Sequence, residues 1–253
     1  MSMIAENRMQ TAPSSSPPDV VISLNDVSCT LGDTNVVDGI TLSVRRGEFV
    51  GIVGPSGSGK TTILGLLTGY RQATSGTVRV EGVTRTVYQQ DGLFPWRTVR
   101  ENILLGLRHL PEGEREAAAA RALSLIGMEG FAGHYPRELS GGMRQRTELV
   151  RALISESDIL LMDEPFSSLD YLTRLRLRRE LSRMLEERPR TVVLVTHDIE
   201  EAAQLADRVI VLTERPARLR RELILNAPRP RNPTSPEVVA AVHGILTEMG
   251  VER

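Results

Sequence analysis

Hydrophobic and polar positions alternate in two segments of the N-terminal part of the chain. Residues 20–28 and 40–44 place apolar side chains at about every second position, and residues 32–35 between them have the composition of a turn. This pattern is typical of half-buried antiparallel strands. The sequence therefore predicts a small antiparallel β layer.

Further along, short continuous apolar runs alternate with segments of helical spacing, such as residues 171–187. The runs are residues 49–53, apart from Gly51, and residues 159–162, 192–195 and 209–212. Continuous apolar runs are typical of strands buried on both faces of a parallel sheet. The pattern predicts an α/β fold built on such a sheet.

A mainly helical insert is predicted between the first and second of these buried strands. Residues from about 98 to 151 are helix-like, with breaks at Gly127, Gly130 and Pro136. A short strand pair, beginning after Ser75-Gly76 and reaching Gln90, is expected to precede the insert. The insert is expected to form a lobe of its own.

The two ends of the chain differ in composition from the middle. Residues 1–19 lack the apolar core of a signal peptide and are predicted to be a disordered tail. Residues 215–253 begin with an Arg- and Pro-rich linker and continue into an amphipathic helix that carries Val238, Val242 and Leu246. The main domain is expected to span residues 20–214.

Composition and charge limit the classes of partner. The chain has 253 residues and 31 Lys plus Arg against 32 Asp plus Glu, so its net charge of -1 gives no reason to expect nucleic acid. The only cysteine, Cys29, fits a reducing cytosol. No apolar stretch approaches the roughly 18 residues needed to cross a bilayer. Any membrane role is expected to be peripheral.

A phosphate-binding motif follows the first buried strand and precedes a helix. Residues 54–61 fit the pattern G-x-x-x-x-G-K-[ST], in which backbone N–H groups and a helix N-terminus bind phosphate oxygens. Lys60 is the only lysine in the chain, as expected if a compact ammonium must fit among phosphates. The residues expected to contact ATP here are Gly54, Pro55, Ser56, Gly57, Ser58, Gly59, Lys60, Thr61 and Thr62.

An acidic pair, Asp163-Glu164, follows the buried run at residues 159–162. By itself such a pair is as often a solvated loop as a site. Ligands collect at the carboxyl ends of strands in open α/β sheets, and a phosphate loop lies upstream. We therefore expect Asp163 to hold Mg²⁺ through water, with Thr61 as a further Mg²⁺ ligand, and Glu164 to act as the base that polarises the attacking water.

The segment between these two motifs carries the most specific signal. Residues 139–146 read Leu-Ser-Gly-Gly-Met-Arg-Gln-Arg, which alone is compatible with a simple helix N-cap at Ser140. In this order, and followed by Arg-Ala-Leu at residues 151–153, the chain resembles the ABC ATPase family from about residue 20 to 212. The resemblance implies a P-loop NTPase (RecA-like) core, an antiparallel β layer and an α-helical subdomain at about residues 96–151.

The resemblance also implies a head-to-tail homodimer. Ser140, Gly141 and Gly142 of one subunit are expected to face the γ-phosphate of ATP held by the phosphate loop of the other. A Ser hydroxyl, bare backbone N–H groups and a helix N-terminus suit an anion. One chain is therefore not expected to complete its own site.

Other positions of the family pattern follow in order. Gln89 matches the glutamine loop, residues 167–170 match the D-loop, and His197 matches the switch histidine. The resemblance implies that Gln89 contacts Mg²⁺ and senses the membrane partner, and that His197 holds the γ-phosphate and the attacking water. The catalytic set is then Lys60, Gln89, Glu164 and His197, and the Mg²⁺ ligands are Thr61, Gln89 and Asp163.

Two positions depart from the family pattern. Leu31 lies where an aromatic residue usually stacks on adenine, and a leucine covers the base only by apolar contact because it has no π face. Glu148 lies where the helix after the signature commonly has a small residue. We expect Leu31 to line the ATP site and to reduce its selectivity for adenine.

Residues 89–102 indicate the task of the ATPase, because they resemble importer subunits of the nitrate, sulfonate and taurine group. In that group the loop receives a permease helix, so Trp96 is compatible with either interface contact or core packing. The resemblance implies a subunit at the cytoplasmic face of the inner membrane that binds permease subunits and serves an extracytoplasmic solute-binding protein indirectly. The expected solute is a small anion or sulfonate such as nitrate, alkanesulfonate or taurine.

Two other functional classes fit the sequence less well than the importer. A soluble ABC-type ATPase with a non-membrane partner is disfavoured because the chain has no long heptad insertion, no second cassette and no excess of positive charge. A non-hydrolysing binding module would require the loss of Lys60, Glu164 or His197, and all three are present.

Overall fold

The structure is a computed structural model, and it describes residues 19–88 and 92–250. The strands are β1 (Val20–Leu31), β2 (Thr34–Arg45), β3 (Phe49–Val53), β4 (Ser75–Val80), β5 (Thr84–Val87), β6 (Ile159–Asp163), β7 (Thr191–Thr196), β8 (Arg208–Leu212) and β9 (Leu219–Ile224). The helices are α1 (Lys60–Leu67), α2 (Val99–Gly106), α3 (Glu112–Leu125), α4 (Gly141–Ile154), α5 (Tyr171–Glu187), α6 (Ile199–Leu205) and α7 (Pro236–Met249). No helix in the two described ranges combines the length and apolar character needed to span a membrane.

Two sheets form the molecule. The smaller has the order β2-β1-β4 and is antiparallel, which confirms the predicted β layer. The larger has the order β5-β6-β7-β3-β8-β9, and all of its strands except β9 are parallel. The two strands predicted before the helical insert form as β4 and β5, but they do not pair with each other, because β4 pairs with β1 and β5 pairs with β6. The local sequence pattern of a strand does not indicate which distant strand it pairs with.

The parallel strands are buried on both faces, which explains their continuous apolar sequences. In β7, Val192 and Leu194 belong to the core under the helical side, whereas Val193 and Val195 belong to the core shared with α1 and the antiparallel sheet. Side chains alternate across a strand, so both faces need apolar residues. The large sheet therefore separates two hydrophobic cores.

The segment after Arg215 contributes a strand that the sequence did not indicate. β9 pairs antiparallel with β8 at the edge of the large sheet, and most of its residues are exposed or half-buried. A weakly buried edge strand needs little apolar periodicity, so its composition resembles that of a linker. The amphipathic helix predicted beyond it is confirmed as α7, which packs beside α6.

Helix α4 fixes the segment that leads into α2. The Glu148 side chain is buried, with 4% of its surface exposed, and its carboxylate accepts hydrogen bonds from the backbone N–H groups of Tyr88 (2.9 Å) and Gly92 (3.1 Å). Arg151, one turn further along α4, donates to the Gly92 carbonyl and to Asn102 Oδ1 at 3.2 Å. Buried charges are tolerated when hydrogen bonds satisfy them. The backbone N–H groups of Tyr88 and Gly92 therefore explain how α4 accommodates a buried acidic residue at Glu148.

We expect Gly92→Ala to destabilise the fold by about 2–4 kcal/mol, because its Cβ would overlap the Glu148 carboxylate. Glu148→Ala alone should cost about 1–3 kcal/mol, since two backbone N–H groups lose their acceptor. The double variant should cost clearly less than the sum, because the overlap is then absent. Urea unfolding measures all three free energies.

Gly113→Ala is the matched control, because a Cβ on this glycine of α3 would meet no neighbouring atom. It should leave the free energy of unfolding unchanged or slightly raised. Additive effects of Gly92→Ala and Glu148→Ala would contradict the described contact.

Candidate active site

The phosphate loop connects β3 to α1 and lines a cavity of about 440 Å³. Gly59 precedes α1 with φ of 113°, and a Cβ there would lie 2.9 Å from the Val36 carbonyl oxygen. Only glycine suits this combination of backbone angle and close approach. The cavity is lined by Leu31, Thr34, Val36, Ser56, Gly57, Gly59, Lys60, Thr61, Thr62, Glu164 and Arg215.

Lys60 holds its ammonium group against the loop. Its Nζ donates to the carbonyl oxygens of Gly54 (2.9 Å) and Pro55 (2.8 Å). Burial lowers the pKa of Lys60, and the carboxylates of Glu164 and Asp163 oppose that shift. A partly desolvated cation on a glycine-rich loop favours an anionic ligand such as a phosphate group.

Asp163 ends β6 with only 4% of its surface exposed. Burial raises the pKa of this carboxyl group, and a hydrogen bond from the Thr61 hydroxyl acts in the opposite direction. Its Oδ1 atom has no hydrogen-bond partner within the described ranges. A buried, unsatisfied carboxylate oxygen beside a hydroxyl fits a hard divalent cation.

The described ranges contain no cluster of three or more His, Cys, Asp or Glu side chains that could hold a metal ion alone. The oxygen donors present are the buried Asp163 carboxylate and the Thr61 hydroxyl beside it. Carboxylate and hydroxyl oxygens are donors of the kind that hard cations such as Mg²⁺ bind.

Glu164 and His197 lie together at the same sheet edge, 2.9 Å apart between Glu164 Oε1 and His197 Nδ1. Glu164 has φ of 47°, which is uncommon for a residue with a side chain, and its N–H donates to the Val195 carbonyl at 2.8 Å. This turn directs the carboxylate into the cavity, and His197 comes from the end of the neighbouring strand. The pair is placed to polarise a water molecule beside the phosphate loop.

The signature segment lies apart from the cavity of its own chain. Ser140 caps α4 by accepting a hydrogen bond from the Met143 N–H at 3.3 Å, and Ser140 and Gly141 are exposed. Neither these residues nor Gly142 line the cavity. The structure thus leaves a capped helix N-terminus, a group that suits an anion, on the surface.

Gln145 connects that helix to the acidic edge, a role that was not predicted from the sequence. Its Nε2 donates to the Glu164 carbonyl at 2.9 Å, and its Oε1 accepts from the Ser168 N–H at 2.9 Å. The only sequence signal was its place in the family pattern beside Arg146. The contact requires α4 and the D-loop to fold against each other.

Only some of the site residues predicted from the sequence line the cavity. Leu31, Glu164 and most of the loop residues line the cavity, whereas Gly54 and Pro55 contact Lys60 instead. Ser58 and Asp163 are buried, and neither they nor His197 line the cavity. Gln89 lies outside the described residues. Thr34, Val36 and Arg215 line the cavity without having been predicted. Thr34 and Val36 follow the alternation of an ordinary strand, which gives no sign of a function. Arg215 is one of many arginines in its segment, so the sequence did not single it out.

The chain is similar to known proteins over the segments that form most of this site. The sequence pattern of the ABC transporter family matches residues 37–167. The chain is 42% identical over 232 residues to the "Aliphatic sulfonates import ATP-binding protein SsuB 1" of Nocardia farcinica, covering 92% of this chain and 93% of the relative. It is 47% identical over 209 residues to the protein of the same name from Rhodococcus jostii, covering 79% and 81%.

A solved structure has the same fold. The dimeric, post-hydrolysis structure of the ATP-binding cassette MJ0796 bound to ADP and Pi superimposes with a TM-score of 0.72. It is 31% identical in sequence and covers 81% of this chain and 99% of that chain. With the phosphate loop, the acidic strand end and the signature helix in place, these similarities show that the chain belongs to the ABC transporter family and has the fold of its ATP-binding cassettes.

Proposed function

We propose that this chain binds and hydrolyses ATP as one half of a head-to-tail homodimer and thereby powers a membrane importer. The observation that carries the proposal is the contact between His197 and Glu164, a carboxylate that lines the cavity of the phosphate loop. An acid–base pair beside a phosphate cradle suits the attack of water on a terminal phosphate.

The phosphate end of ATP lies on the loop in this proposal. Backbone N–H groups from residue 54 to the start of α1 bind its oxygens, and the Lys60 ammonium moves from the loop carbonyls to the β- and γ-phosphates. Thr61, Asp163 and Gln89 would hold Mg²⁺, which supplies positive charge opposite the phosphates. The unsatisfied Asp163 Oδ1 supports this assignment.

Glu164 accepts the proton of the attacking water, or polarises that water, while His197 keeps the carboxylate and the γ-phosphate in position. The 2.9 Å contact between their side chains fixes the direction of the carboxylate. The Glu164 side chain is only 18% exposed, so its carboxylate interacts more strongly with the water than a fully solvated carboxylate would. The water oxygen bonds to the γ-phosphorus as the bond from that phosphorus to the β–γ bridging oxygen breaks, and release of inorganic phosphate and ADP completes one turnover.

A second copy of the chain completes the site. Ser140, Gly141 and Gly142 are presented on the surface away from their own cavity, at the N-terminus of α4. A helix N-terminus binds anions, so this segment suits the γ-phosphate of ATP on the partner subunit. The cassette MJ0796, which was solved as a dimer bound to ADP and Pi, supports a dimeric assembly.

A separate groove suits a permease. It has a volume of about 520 Å³ and lies between β5, α2 and α4. Trp96 is 70% exposed, which favours interface contact over core packing, and its ring lies 5.6 Å from that of Phe94. The other prominent lining side chains are those of Arg85, Arg97, Arg108 and Arg151.

Exposed aromatic and arginine side chains are typical of binding hot spots. The occupant proposed for the groove is a cytoplasmic helix of a permease that carries apolar and acidic residues. The chain would then act at the cytoplasmic face of the inner membrane, with an extracytoplasmic solute-binding protein as an indirect partner. The names of the two relatives favour an aliphatic sulfonate as the solute, and no described feature favours a soluble partner.

Glu164→Gln should lower the ATP turnover number by at least about 100-fold and leave ATP binding intact, because the phosphate loop is unchanged. Lys60→Ala should lower the turnover number and also weaken ATP binding, since it removes the charge opposite the phosphates. Phosphate release and equilibrium binding measure the two effects. Glu200→Gln, an exposed carboxylate three residues after His197, is the control and should match the parent. Near-parental turnover in Glu164→Gln would refute the site.

Tagged Glu164→Gln chain, purified from detergent-solubilised native membranes with ATP, should bring down a stoichiometric protein with several membrane spans. Adding Trp96→Ala should reduce that recovery by about tenfold or more, because hot-spot aromatics contribute about 2 kcal/mol. Tyr70→Ala, at an aromatic residue 82% exposed outside the groove, is the control. Recovery of ribosomes, DNA or no partner would overturn the importer proposal, and unchanged recovery with Trp96→Ala would overturn the groove assignment.

A further inference from the structure

Arg215 lies at the rim of the ATP cavity, on the turn between β8 and β9. Its Nε and one terminal nitrogen donate to the Gly57 carbonyl oxygen at 3.0 and 2.8 Å. The guanidinium is thereby fixed against the phosphate loop while the residue as a whole stays exposed. A long side chain that is already held in place on a cavity wall is preorganised, so it loses less conformational entropy when a ligand binds.

The charge of Arg215 is not paired within the described ranges. Arg218, three residues further along the same turn, donates to Asp38 Oδ2 at 2.9 Å, whereas Arg215 has no carboxylate within ion-pair distance there. The two arginines thus differ in partner although they share one turn. An unpaired guanidinium on a cavity wall suits an anionic or π-rich ligand.

The turn itself is held firmly to the antiparallel sheet. The Ala217 N–H donates to the Val36 carbonyl at 2.8 Å, and the Asp38 N–H donates to the Ala217 carbonyl at 3.0 Å. Thr213 closes the turn through its hydroxyl, which donates to the Pro216 carbonyl at 3.1 Å. The position of Arg215 relative to β2 is therefore set by backbone hydrogen bonds.

Strand order indicates which part of ATP meets Arg215. The strands that end at Glu164 and His197, β6 and β7, lie on one side of β3, and β8 lies on the other. If the γ-phosphate faces Glu164, the nucleoside extends toward the side of Leu31, Val36 and Arg215. These three residues line the same cavity.

We propose that Arg215 is a nucleoside-contacting residue whose guanidinium plane covers the purine of the bound nucleotide. This inference rests on the proposed ATP site. Leu31 offers the base an apolar surface without a π face, whereas a guanidinium stacks on aromatic rings and also carries charge. Arg215 thereby compensates for the missing aromatic residue and contributes to the selection of purine nucleotides.

Calorimetric titration with ADP and displacement titration with inorganic pyrophosphate test the inference on the full chain. Arg215→Ala should raise the Kd for ADP by about tenfold and leave that for pyrophosphate unchanged, because pyrophosphate has no base to stack on. Arg215→Gln keeps a donor for the Gly57 carbonyl but loses the planar cation, so it should behave like Arg215→Ala. Arg218→Ala is the matched control and should bind both ligands like the parent.

Equal weakening of ADP and pyrophosphate would show that Arg215 only braces the loop, and the inference would fail. Unchanged ADP binding in Arg215→Ala, or parental ADP binding in Arg215→Gln, would overturn it as well. If the parent chain bound neither ligand, the proposed ATP site would fail first and the inference with it. Thermal unfolding of each variant checks that the fold is retained.

Discussion

The parallel pairing of β6, β7 and β3 is the constraint on which the site depends. The register places Asp163 opposite Val195 and Val53 opposite Thr196, so all three strands end at the same edge. The phosphate loop, the acidic pair and His197 follow those strand ends directly. Apolar residues on both faces of each strand help to hold the register, because a shift of one residue would move every buried side chain into the opposite core, where it meets different neighbours.

Helix α4 links the remaining functional surfaces to that edge. It begins at the exposed signature segment, contacts the Glu164 carbonyl through Gln145, and holds the backbone on both sides of residues 89–91 through Glu148. Arg151 of the same helix also lines the groove proposed for the permease. In the proposed assembly, α4 therefore borders the permease groove and the surface for the partner subunit, and it contacts the hydrolytic edge.

Sequence predicted the buried strands and the phosphate loop because their signals are local: continuous apolar runs, glycines and the single Lys60. It did not predict β9, whose exposed edge position demands no apolar pattern, or the pairing of β4 with β1 across a long separation. The placement of Asp163 beside Thr61 followed from strand order and motif together. The contacts of Glu148 and Arg215 exist only once distant segments meet, so neither had a sequence signal of its own.

Crosslinking tests most directly the claim that the signature of one subunit completes the ATP site of the other. Two differently tagged Glu164→Gln chains carry Ser56→Cys and Ser140→Cys respectively, and the parent with only the buried Cys29 is the control. A head-to-tail site should give an ATP-dependent disulfide between the two different chains and none in the control. Absence of that product with ATP bound, or efficient crosslinking between two Ser140→Cys chains instead, would contradict a head-to-tail site.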